Sequence, residues 1–133
     1  MGADVNKPRN DGATPVFIAA QNGHANAIRE LAKLGADVNK AMNDGATLVY
    51  VAAYNGHAHA IRELGRLKAD VNKAMNDGAT PMFIAAQQGH AHAIRVLKEL
   101  GADVNTSTNT GATPVFIAAQ NGHADVILSL IHI

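Results

Sequence analysis

A chain of 133 residues with 11 basic and 11 acidic side chains carries no net charge at neutral pH, and no basic stripe gathers on one predicted helix face, which argues against a nucleic-acid partner. It contains no cysteine, which excludes disulfide and thiolate chemistry. The apolar share of 47% is rich in alanine, and no apolar run approaches the roughly 20 residues that span a bilayer.

After Met1 the sequence divides into four consecutive blocks of 33 residues, 2–34, 35–67, 68–100 and 101–133. Gly-Ala-Asp-Val-Asn opens at Gly2, Gly35 and Gly101 and returns as Lys-Ala-Asp-Val-Asn at Lys68. Residues 2–34 and 68–100 share 24 identities over 33 positions. A period of this length implies stacked supersecondary units, none of which can bury its apolar face alone. The whole of 1–133 is therefore expected to form one repeat domain.

In the first block, Asn10-Asp11-Gly12 reads as a hairpin-like turn between short extended pieces. Thr14-Pro15 reads as a helix start, with Thr as N-cap and Pro at the first helical position. The helix runs through Val16-Phe17-Ile18-Ala19-Ala20-Gln21-Asn22 to Gly23, which stops it. A second helix over 25–33 sets Ala27, Ile28, Leu31 and Ala32 toward the core and Asn26, Arg29, Glu30 and Lys33 toward water. Helices this short are marginal alone, so stacking must stabilise them. The small pairs Ala19-Ala20, Ala52-Ala53, Ala85-Ala86 and Ala118-Ala119 allow close approach. Block two lacks the Pro (Leu48) and carries Gly65 in its second helix, a cost of up to about 1 kcal/mol relative to Ala. It is expected to be the softest internal repeat.

Laid out in this way, the run Gly12-Ala13-Thr14-Pro15-Val16-Phe17-Ile18-Ala19-Ala20-Gln21-Asn22-Gly23-His24 and its three copies resemble ankyrin repeats over the whole chain after Met1. The resemblance implies an all-α fold, an ankyrin-repeat solenoid of helix pairs joined by hairpin-like loops. It also implies a non-catalytic module that binds another protein through a concave face. Three departures stand out. Phe17, Tyr50, Phe83 and Phe116 replace a His of the family pattern, which implies aromatic packing in place of its polar contacts. Arg9, Met42, Met75 and Thr108 replace a loop Asp, which puts that turn contact in doubt. Block two departs at Leu48 and Gly65. The resemblance further assigns His24, His57, His90 and His123 to backbone bonding; His59 and His92, two residues after His57 and His90, face a different direction on the helix and are expected on the solvated outer face.

Carried over residue by residue, the implied partner-binding surface is Asn10, Asp11, Ala13, Gln21 and Asn22 in block one. Asn43, Asp44, Ala46, Tyr54 and Asn55 follow in block two, then Asn76, Asp77, Ala79, Gln87 and Gln88 in block three. Block four supplies Asn109, Thr110, Ala112, Gln120 and Asn121. Tyr54, flanked by Met42 and Met75, is the one place where residues enriched at interface hot spots gather. Because the other positions barely vary, an engineered or excised scaffold without a natural ligand is a second reading. A third is a substrate of asparaginyl hydroxylation at Asn39, Asn72 or Asn105, sites that the resemblance suggests.

Catalysis is not expected. Ser107 and Ser129 have no base at motif spacing, and nothing resembles a phosphate-cradling glycine loop. No metal and no cofactor are expected either, since zinc needs three or four converging ligands. No signal peptide precedes the first repeat, so the expected setting is cytoplasmic, or nuclear, with no membrane partner. The C-terminal helix is unusual. Leu128 stands in the slot of Arg29, Arg62 and Arg95, and Ile131 in that of Ala32, Gly65 and Lys98. Such an apolar end is expected to promote self-association.

Overall fold

The computed structural model describes residues 2–132. Among these, eight helices and no strands form: α1 (Pro15–Gln21), α2 (Ala25–Lys33), α3 (Leu48–Tyr54), α4 (Ala58–Arg66), α5 (Pro81–Gln88), α6 (Ala91–Glu99), α7 (Pro114–Gln120) and α8 (Ala124–Ile131). Odd helices pack on odd ones and even on even, while each odd helix also packs on the even helix that follows it. The result is two rows of helices, with the loops projecting before each odd helix. No helix is long and apolar enough to cross a membrane.

The odd helices start where the sequence implies. Thr14, Thr47, Thr80 and Thr113 each accept a backbone N–H three residues on, at 3.3, 3.1, 3.1 and 3.2 Å. That bond satisfies one donor left over at a helix start. It forms in repeat two as well, so Thr47 sets the start of α3 without a proline. The turns hold no strands, contrary to the expected extended pieces. Each closes instead on a pair of local bonds, such as Met42 N–H to Ala46 O and Gly45 N–H to Met42 O, both 2.9 Å. The same closure occurs around Arg9, Met75 and Thr108, so replacing the loop Asp leaves the turn intact.

The core runs between the rows. Ile28, Ile61, Ile94, Leu64 and Leu97 are fully buried, as are Ala20, Ala53, Ala86 and Ala118. Burial depends on neighbours as much as on residue type. Ala60 and Ala93 are sealed by the preceding repeat, whereas Ala27, expected in the core, is exposed. Phe83 is 7% exposed, yet Phe116 in the same slot is 57% exposed. The aromatic packing expected along the whole row therefore fails at Phe116.

Two further expectations need correction. Helix periodicity sets Arg29 toward water, but it lies 3.5 Å from Glu63 of the next repeat, which is buried and 3.4 Å from Arg66. One buried carboxylate thus joins two repeats. Gly65 is a packing feature as well as a helix weakness. A Cβ placed there would come within 2.5 Å of Leu100 Cδ2, so the missing side chain makes room for the following repeat. Leu48, which stands where the other repeats have proline, is also buried.

Candidate functional site

The loops before α3, α5 and α7 are tied into one ridge by their backbones. Asn76 N–H donates to Asp44 O and Asn109 N–H to Asp77 O, each at 3.0 Å. The side chains repeat the link, Asn76 Nδ2 to Asn43 O and Asn109 Nδ2 to Asn76 O at 3.1 Å. Asp11, Asp44 and Asp77 each accept the backbone N–H two residues on, at 3.1, 3.0 and 2.9 Å. One oxygen of each carboxylate thereby shapes its own turn, and the residues stay exposed at the tip. These groups are both scaffold and surface.

Asp11 is distinct because Arg9 stands beside it, its Nε donating to Oδ1 at 3.0 Å. The guanidinium bond first, and the Ala13 N–H second, lower its carboxyl from 3.8 to about 2. A depressed carboxylate is fully ionised above its ordinary range, and any stability it supplies is lost as pH falls toward the folded value. An NMR titration should therefore place the Asp11 midpoint near 2, and Arg9→Met should move it up toward the ordinary carboxylate range. A midpoint unchanged by that substitution would show the pair to be absent in solution.

Asp11, Met42, Asn43 and Asp44 are brought together, with Phe17 and Ala46, around a shallow groove of about 270 Å³ between the first two loops. Met42 thus shares a groove with Phe17 at the loop end of the helices. Tyr54 lies at the other end of α3, about 10 Å along the axis from its start. The expected cluster of Tyr54 with Met42 and Met75 is therefore not assembled. What accompanies Tyr54 instead is Tyr50, one turn earlier on α3 and so on the same side of the helix. Its phenol is pushed up to about 12, by burial first and then by Asp77, Asp44 and Tyr54. This half-buried tyrosine was missed because its slot is aromatic in every repeat; only its hydroxyl, shared with no other repeat, distinguishes it.

The remaining predicted positions divide. Asn10, Gln21, Asn22, Gln88, Thr110 and Gln120 are exposed and Gln87 and Met75 half-buried, while Ala13, Ala46 and Ala79 are buried and cannot meet a partner. Asn55 turns back to its own helix, Nδ2 to Val51 O at 3.0 Å, and Asn121 Nδ2 donates to Gln87 O at 3.1 Å. Of the loop asparagines considered for hydroxylation, Asn39 and Asn72 accept Asp70 N–H and Asp103 N–H through Oδ1, both at 2.9 Å. Asn105 is exposed and its backbone N–H donates to Asp103 Oδ1.

Three of the four histidines assigned to backbone bonding serve the stack, while the exposed His24 makes no such ring bond among the described residues. Nε2 of His57, His90 and His123 bonds Gln21 O, Tyr54 O and Gln87 O, each at 3.0 Å. His59 and His92 are exposed on the outer row and meet edge to face, their ring centres 6.4 Å apart. Among the described residues no three His, Asp or Glu side chains gather as a metal site would require.

The geometry is one of paired helices, capped by Thr, pinned by His and linked by loop amides, at a constant repeat. No curated protein matches the chain. The family model described as Ankyrin repeats (3 copies) matches residues 1–75 and 51–133. Ankyrin repeats are in general protein–protein interaction modules, and the family is typically non-enzymatic. With repeat geometry and family match in agreement along its length, this chain belongs to the ankyrin-repeat family.

Proposed function

We propose that the chain is a non-catalytic module that binds another protein through the loop tips and the adjoining side of the odd helices, with Tyr54 as anchor. The observation that carries this reading is Tyr54 itself. It is 47% exposed in a slot that holds glutamine in the other three repeats, and Tyr50 lies one turn earlier on the same side of α3. A half-exposed tyrosine offers large contact area for little lost side-chain freedom. Asp44 and Asp77, beside Tyr50, add negative charge on the loop side of this surface, which favours a partner with a basic group there.

The test starts from a quantitative pull-down with wild type and Tyr54→Ala, followed by affinity measurement on the captured protein. Tyr54→Ala should weaken binding by about 2 kcal/mol, within hot-spot range. Gln21→Ala, in the same slot of repeat one, should change little. Equal effects at the two positions would show a diffuse interface with no Tyr54 anchor.

A specific observation favours a second interaction. Leu128 is 56% and Ile131 66% exposed on α8, an apolar end of the kind that docks against another surface. This supports self-association through the C-terminal helix.

A further inference from the structure

We infer that this self-association is head-to-tail: repeat one of a second copy stacks on repeat four, as repeats two, three and four stack on their predecessors. The inference rests on the self-association reading above and adds which surface meets α8. The three internal interfaces show what a receiving face and an entering face need, and the chain presents one of each unoccupied.

On the receiving side, the glycine after each odd helix takes the ring of the next repeat's histidine. A Cβ on Gly23, Gly56 or Gly89 would lie 2.6, 2.6 and 2.9 Å from His57, His90 and His123. Gly122 has the same backbone, φ +74, and nothing within 4 Å. Gly111 is likewise open, whereas its counterparts Gly45 and Gly78 are covered by Asn76 and Asn109. Ala119 is exposed although Ala20, Ala53 and Ala86 are sealed.

The entering side carries the complementary groups. His24 is exposed, where His57, His90 and His123 each bond the preceding odd helix. Ala27 is exposed where Ala60 and Ala93 are sealed, and Leu34 is 65% exposed. Register then assigns the contacts. His24 reaches Gln120 O, Asp4 N–H reaches Asn105 Oδ1, and Leu34 meets Ile131 as Leu100 meets Gly65. The larger Ile131 makes Leu34 swing aside, which its exposure permits. The polar contacts of the arginine slot are not reproduced: Arg29 pairs with Glu63, Arg62 with Glu99, and Arg95 donates to Ser129, whereas Leu128 faces Glu30 and Lys33 of the second copy. Because the two faces differ, association is heterologous and open-ended.

Sedimentation velocity over a dilution series tests this, using substitutions at alanines that are exposed in the single chain. Wild type should grow past a dimer with concentration. Ala27→Arg, which blocks the entering face, and Ala119→Arg, which blocks the receiving face, should each stay monomeric with wild-type circular dichroism. Their mixture should form a one-to-one dimer and nothing larger, because one intact face remains on each. If Ala27→Arg alone dimerises, end meets like end: self-association stands and the head-to-tail arrangement falls. A wild type that remains monomeric at every concentration overturns both.

Discussion

Phe83→Ala is expected to lower the free energy of unfolding by about 3 kcal/mol or more, the scale of buried aromatic truncations. Phe83 is 7% exposed on α5, and its backbone N–H is held by the Thr80 cap at 3.1 Å. Its ring has little room to be replaced by relaxation. The repeat supplies its own control. Phe116→Ala deletes the same atoms from the same slot of α7, where 57% of the residue already meets water. That loss should stay below about 1 kcal/mol, as for surface substitutions. Chemical denaturation of both variants separates burial from residue type. A loss below about 1 kcal/mol for Phe83→Ala would remove it from the core, and equal losses would show that the slot alone sets the cost.

That pair of phenylalanines also marks how far the sequence can be read. The period, the Thr caps, the helix limits of α1 and α2 and the contacts of His57, His90 and His123, though not of His24, were legible because each rests on chemistry within a few residues or repeated in register. Burial was less legible. Ala27 and Ala60 sit in local sequences that differ from His24 to Leu31 and from His57 to Leu64 only at Asn26 and His59, and the presence of a preceding repeat seals one of them. The Arg29–Glu63 pair was hidden for a similar reason: helix periodicity places both near the polar boundary, and only stacking brings them together across repeats.

The binding face divides along the same line. Tyr54 stood out because a tyrosine in a glutamine slot breaks the repeat. Met42 and Met75 were grouped with it on composition alone, whereas the turn before α3 carries Met42 into a groove with Phe17. Tyr50 was overlooked because an aromatic belongs in its slot by pattern. Its half-buried phenol beside Asp44 and Asp77 becomes visible only when three separated segments are placed together. Ala13, Ala46 and Ala79 erred in the opposite direction: they lie in the loops but point inward, a distinction that spacing does not carry.

Gly56→Ala should be costly for two separable reasons, and Gly122→Ala isolates one of them. Gly56 adopts φ +73 and Gly122 φ +74, a left-handed backbone that costs an alanine about 1 kcal/mol. Only at Gly56 would the new Cβ strike a ring, 2.6 Å from His90 Nδ1. Moving that ring breaks the 3.0 Å bond from Nε2 to Tyr54 O, at about 1 kcal/mol for the bond and a similar amount for the disturbed packing. Gly56→Ala should therefore destabilise by about 3 kcal/mol and Gly122→Ala by about 1 kcal/mol. Equal losses would assign the whole effect to backbone strain and none to the histidine. The bond lost at Gly56 is also one that holds the carbonyl of Tyr54. A variant still folded should therefore bind its partner less well than wild type, although position 56 lies outside the predicted contact residues.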